Sequence, residues 1–157
     1  MKVLAQMKTG KHEQIVFVQD LDVGLRAIIA IHNTTLGPAL GGTRMYPYAT
    51  EQQALRDAMD LSRGMTYKAA AAGLDLGGGK AVIIGDPLKQ KSDALLRAYG
   101  RFVNRLAGVF YTGEDVGTDV SDMEIVRTQT SFVGGLSRER GCGGDPSQSL
   151  PTVFCKE

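Results

Sequence analysis

The chain has 157 residues, 43% hydrophobic and 22% charged, the composition of one foldable globular unit rather than of a disordered segment. Eighteen Lys and Arg against seventeen Asp and Glu leave a net charge of +1, so no broad basic field exists to hold nucleic acid or an anionic membrane. No apolar run approaches the ~20 residues of a membrane helix, and the first residues, with Lys2, Lys8 and Lys11, lack the apolar stretch of a secretion signal, which makes a cytoplasmic protein the expectation.

Residues 14–19 and 25–31 are β-branched and apolar, with turn residues from Asp20 to Gly24 between them, and predict a β-hairpin. Gly37-Pro38 and Gly41-Gly42 interrupt regular structure, so 33–49 reads as a loop. Thr50 with Gln53 predicts a capped helix from about 51, with an apolar stripe of Ala54, Leu55, Ala58, Met59 and Leu61 that Gly64 interrupts. A second, alanine-rich helix over 65–72 would stop at Gly73. Lys80 to Ile84 is a continuous apolar run bounded by glycines and by Asp86-Pro87, the pattern of a parallel strand covered on both faces. Leu95, Leu96, Tyr99, Phe102, Val103 and Leu106 fall at helical spacing behind a capping Ser92. Val109 to Thr112 predicts a further strand, and Ser121 with Glu124 a capping box for a helix through about Arg127. Strands alternating with helices after a hairpin mean an α/β fold, an open mixed, mostly parallel sheet flanked by helices. From Ser137 the chain turns polar, Gly-rich and aperiodic, so residues 1–136 read as a domain and 137–157 as a linker remnant.

Glycine is the compositional oddity, 20 of 157 residues. Gly77-Gly78-Gly79-Lys80 is not a phosphate loop, because Leu74 stands where a glycine is needed and Ala81 where Ser or Thr is needed. No stretch satisfies Gly-x-Gly-x-x-Gly, so no cofactor is expected to bind this chain by that device. Cys142 and Cys155 alone exclude a disulfide framework, whether or not they pair. Without a nearby His12 or His32 they offer no four-ligand zinc site, so no metal is expected and the histidines read as structural.

Lys80, behind three side-chain-free residues at the start of a buried strand, is a candidate general base, since burial disfavours the ammonium. The alternative is a lysine that snorkels to solvent. Lys68, in a stretch otherwise devoid of charge, suits a substrate carboxylate, or else an internal ion pair or plain exposure. Asp115 follows a strand at its carboxyl end and is a candidate proton carrier. The alternative is that it belongs, with Glu114, Asp119, Asp122 and Glu124, to a solvated acidic helix start.

Residues 35–44, Gly64-Met65-Thr66-Tyr67-Lys68, the run Leu74 to Pro87 and Gly113 to Thr118 resemble, in order and over about residues 3–147, the glutamate/leucine/phenylalanine/valine dehydrogenase family, nearest its leucine-specific branch. The resemblance implies an amino-terminal domain for substrate binding and homo-oligomer contacts, with NAD held on a separate Rossmann domain that this chain lacks. It implies Lys80 as the lysine that activates water, Asp115 as the proton-transferring acid and Lys68 as the group facing the substrate carboxylate. Gly41 and Gly42 would form a close backbone wall, and Leu40, Met65 and Gly113 the side-chain pocket. Leu40 points to branched-chain substrates and Gly113 to phenylalanine. The implied chemistry is oxidative deamination of an L-amino acid. The family's bridging segment breaks at Pro151 to Glu157, so the expectation is a truncated substrate domain, inactive alone. The competing expectations are a stand-alone amino-acid-binding subunit and an assembly module that uses the hairpin edge.

Overall fold

The computed structural model describes residues 2–134. The expected linker over 137–157, the boundary at 136 and both cysteines lie outside that range. In chain order the elements are α1 (Val3–Gly10), β1 (Gln14–Asp20), β2 (Leu25–Asn33), β3 (Ala39–Tyr46), α2 (Glu51–Ala71), β4 (Gly77–Ile84), α3 (Pro87–Gln90), α4 (Asp93–Asn104), β5 (Phe110–Glu114) and α5 (Val120–Arg127).

The five strands form one sheet in the order β1-β2-β4-β3-β5. β2 is antiparallel to both β1 and β4, while β4, β3 and β5 are mutually parallel, so β2 alone runs against the other four. The fold is α/β with a mixed, mostly parallel sheet, and the hairpin closes in register from Asp20↔Leu25 to Gln14↔Ile31. Every residue of β4 is buried, as its unbroken apolar run requires of a strand covered on both faces. One core cluster joins the sheet to α4 and α5 through Leu95, Leu96, Tyr99, Phe110 and Met123. The opposite face packs Ile28, Ala30, Val82 and Ile84 against Ala54, Leu55, Ala58 and Met59 of α2. No helix among the described residues is long and apolar enough to cross a membrane.

Several local expectations change. The segment 33–49 is not all loop, since β3 occupies its centre and is the strand next to β4. α2 is one helix straight through Gly64, whose missing side chain would meet nothing within 4 Å. A glycine in an exposed helix interior costs only about 1 kcal/mol, which the packing of α2 on β2 and β4 outweighs. Gly73, at φ +66, does end it. β4 starts at Gly77, so Lys80 lies within the strand rather than at its start. α5 is capped by Asp119, not Ser121: the Asp119 carboxylate accepts from the Asp122 amide and the Asp122 carboxylate accepts from the Asp119 amide. α1 carries no buried residue and α3 spans four, so neither has the periodic apolar stripe that would reveal it in sequence. His32 ties β2 to α2, its Nδ1 lying 2.8 Å from Thr66 Oγ1, and His12 ties the segment before β1 to the same helix, its Nε2 lying 2.9 Å from Met59 O.

Candidate active site

α2 crosses β2 and β4 but only grazes β3, which leaves the β3–β5 half of that sheet face without a helix over it among the described residues. Strand alternation turns Leu40, Gly42 and Arg44 of β3 toward this open half and Gly78, Lys80 and Val82 of β4 to the same sheet face, with Gly78 and Val82 directly under α2. The result is a cleft with a strand floor and α2 as one wall.

Lys80 and Asp115 meet in it. Lys80 Nζ lies 2.9 Å from Asp115 Oδ2, and the lysine side chain is only 6% exposed. Asp115 is the first residue after β5, and Thr118 holds its backbone: the Thr118 hydroxyl accepts from the Asp115 amide at 3.0 Å and donates to Thr43 O at 2.8 Å. Arg44 Nε reaches the same Oδ2, also at 2.9 Å, while its Nη1 lies 2.9 Å from Asp57 Oδ2 on α2. The Tyr48 hydroxyl donates to that same Asp57 oxygen. Asp115 Oδ1 has no partner among the described residues.

The charges are interdependent. Burial lowers the Lys80 pKa, and the hydrogen bond and charge of Asp115 raise it only part of the way back, with Arg44 pushing it further down. Burial pushes the Asp115 carboxyl up, but Lys80 and then Arg44 outweigh it and hold the group below the usual carboxylate range. Burial also works against the Arg44 charge, and Asp115 with Asp57 more than restores it. Asp115 is therefore an ionised acceptor shared by two cations, not one acid in a solvated cluster.

The other expected residues are distributed around this pair. Gly42 lies on the cleft floor, where a Cβ would come within 2.3 Å of Glu114 O and 3.0 Å of Asp115 Cβ, so only glycine lets β3 run beside Asp115. Gly41, its neighbour in the strand, takes the alternate direction, and its Cβ position is filled by Gly79 O at 1.7 Å. Gly113 pairs with Gly42 across β3 and β5, and a Cβ there would meet only Gly134 O at 3.7 Å, an ordinary contact. Leu40 and Met65 are half-buried. Lys68 is exposed in the last turn of α2 and forms no ion pair among the described residues, so it is not the buried charge that its apolar neighbours suggested. It stands eleven residues after Asp57, about three helical turns on and on the same side of α2. The register places Lys80 between the Arg44–Asp57 end of the cleft and the end where Gly78 abuts Thr66, near Met65 and Lys68.

Arg44, Asp57 and Tyr48 escape sequence reasoning. Two signals were present: Arg44 falls two residues after Gly42, on the same face of an extended strand, and Asp57 begins the side stripe 57, 61, 65, 68 of α2. Both need β3 to be recognised as a strand.

Among the described residues the glycine run offers a dinucleotide no site. The Gly77–Gly79 run is a strand interior whose Cβ positions are taken by Asn33 O, the Thr66 amide and the Phe110 ring, leaving no cradle for phosphate. Among the described residues no cluster of His, Cys, Asp and Glu suits a metal ion.

A family model described as Glu/Leu/Phe/Val dehydrogenase, dimerisation domain, matches residues 12–132. Leucine dehydrogenase of Geobacillus stearothermophilus is 58% identical over 147 residues, covering 94% of this chain and 40% of the relative. Phenylalanine dehydrogenase of Lysinibacillus sphaericus is 59% identical over 146 residues, covering 93% and 38%. The crystal structure of L-tryptophan dehydrogenase from Nostoc punctiforme superposes with a TM-score of 0.82 at 51% identity, over 84% of this chain and 39% of that one. The chain thus spans about two-fifths of the length of the curated relatives it matches.

Proposed function

The chain belongs to the Glu/Leu/Phe/Val dehydrogenase family, and on that footing we propose that residues 1–136 are the substrate-binding and assembly domain of an NAD-dependent L-amino-acid dehydrogenase acting on leucine, another branched-chain amino acid or phenylalanine. The observation that carries the proposal is the pairing of buried Lys80 with half-buried Asp115 at 2.9 Å, facing an open cleft with one carboxylate oxygen left over.

A nicotinamide cofactor, held by residues other than those described, would supply the hydride acceptor. What this chain's own residues do is orient the substrate and move protons. Lys68, at the cleft's outer end, would attract the substrate carboxylate and so aim Cα inward. Asp115, already ionised, would take a proton from the substrate ammonium through Oδ1 and return it to the departing nitrogen. Lys80, whose ammonium is disfavoured by burial, would remove the proton from the water that attacks the iminium carbon. Gly42 and Gly113 leave room on the floor, and Leu40 and Met65 would contact the substrate's apolar side chain.

Titration calorimetry of the chain with L-leucine and L-phenylalanine tests the reading, and heat of binding for at least one is expected. No binding of either would reject it. The purified chain by itself is expected to reduce no NAD in the presence of amino acid, because it lacks the dinucleotide fingerprint. Measurable reduction would overturn that part.

A further inference from the structure

The two-proton-carrier reading makes no use of Arg44, Asp57 or Tyr48, yet they form one chain with it. Tyr48 donates to Asp57, Asp57 accepts Arg44 Nη1, and Arg44 Nε reaches the Asp115 oxygen that Lys80 also holds. The chain links an extended segment after β3, the first half of α2, β3 and the loop after β5, four pieces that no single helix or strand would keep in register. Arg44 is suited to the joint because its planar guanidinium presents separate nitrogens to two carboxylates at once, which a lysine ammonium at the end of a flexible stem does not.

We propose that Arg44, anchored by Asp57 and Tyr48, is a positioning residue that pins Asp115 through Oδ2, so that Oδ1 faces the substrate amino group and Lys80 shares the carboxylate instead of holding it alone. This rests on reading the cleft as an amino-acid site. Two consequences follow from the geometry. Without Arg44 the Asp115 carboxylate is free to rotate, and the oxygen offered to the substrate is no longer defined. Asp115 would also pair with Lys80 only, stabilising the ammonium and making Lys80 a poorer base at a given pH. The charged groups around Lys80 are Asp115 after β5, Arg44 on β3 and Asp57 on α2; Arg44 is the one among them that disfavours the ammonium. Loss of the Arg44 charge by itself moves the Lys80 titration, so the pinning role is read separately, from Arg44→Lys, which keeps the charge and gives up the second carboxylate contact.

The test uses the 157-residue chain. Acetic anhydride labelling of Lys80 at a series of pH values, read by mass spectrometry, gives the midpoint at which the amine becomes reactive, and calorimetry gives L-leucine and L-phenylalanine affinity. For Arg44→Gln, checked as folded by circular dichroism, we expect the Lys80 midpoint to move to higher pH, with labelling below the midpoint about tenfold slower for each pH unit moved. Amino-acid affinity is expected to fall at least severalfold. An unchanged midpoint in a folded protein overturns the proposal. Arg44→Lys keeps the charge but its single ammonium cannot span both carboxylates, so it is read by affinity: weaker amino-acid binding supports the proposal, and unchanged affinity overturns it. A shifted midpoint in a chain whose wild type binds no amino acid would retain the Arg44–Asp115–Lys80 coupling and reject the substrate reading. Wild-type binding with an unmoved midpoint would do the reverse.

Discussion

At Lys80 the sheet and α2 remove solvation that Asp115 only partly replaces, and the consequence is visible in both stability and chemistry. The folded pKa lies below that of the unfolded chain, so between the two values the unfolded state binds more protons and stability rises with pH up to about 10.5. Urea unfolding of wild type at increasing pH toward about 10.5 should show that rise, and Lys80→Met should flatten it. Asp115 makes stability rise with pH as well, but at the acid end. Its folded pKa lies below the ordinary aspartate value of 3.8, so its contribution is complete above that value and is lost as the pH falls through the folded one. Asp115→Asn should therefore shallow the acid limb of the same curve, and an unchanged limb would mean that the ion pair adds nothing. In chemistry, Lys80→Ala in a version joined to a nucleotide-binding domain should lose turnover by a factor on the order of 10² to 10⁴, the usual contribution of a general base. Ordinary rates there would make Lys80 a structural residue. Lys80 stood out in sequence by its glycine-flanked, apolar setting, which left a base and a snorkelling lysine both open. Its partners Arg44 and Asp57 did not stand out, because neither lies near Lys80 in the chain.

The elements that carry these side chains depend on glycines at close approaches, and the approaches differ in kind. At Gly78 a Cβ would lie 2.2 Å from the Thr66 amide nitrogen and 2.5 Å from Ser62 O, both backbone atoms of α2 that cannot step aside. Gly78→Ala should cost at least the ~1–3 kcal/mol typical of overpacking and lift α2 off β4, as measured by denaturant unfolding. Gly64 on the same helix meets nothing, so Gly64→Ala should stabilise by about 0.5–1 kcal/mol. Equal effects at the two positions would contradict this packing of α2 on the sheet. Gly113→Ala should fold normally, its nearest neighbour being 3.7 Å away, and should favour leucine over phenylalanine in calorimetry by shrinking the cleft floor. The capped, periodic helices announced themselves: Thr50 accepts from the Gln53 amide and Ser92 from the Leu95 amide, as their spacing required. β3 did not, because Gly41, Gly42 and Arg44 weaken every local strand signal, and what keeps the segment extended is pairing with β4 and β5.

At the scale of the molecule, the outer side of β1 pairs with no strand among the described residues, and Phe17 on β1 is 51% exposed, an edge of the kind that joins another chain unless protected. The family model is described as a dimerisation domain, so we expect self-association in light scattering, and Phe17→Lys should weaken it without changing the circular dichroism. A monomer at all concentrations would remove assembly from the proposed function. What the sequence by itself determined is whatever is local or periodic: the hairpin, the amphipathic α4, the buried β4, the α/β class and, through its ordered motifs, the family. What only the tertiary structure decided is the membership of β3 in the sheet, the continuity of α2, the exposure of Lys68 and the convergence of Arg44, Asp57, Lys80 and Asp115 on one carboxylate-centred network. The division has a physical cause. Caps and apolar periods act over a few residues, whereas Arg44 and Asp115 are 71 residues apart in the chain and become neighbours only once β3 lies between β4 and β5.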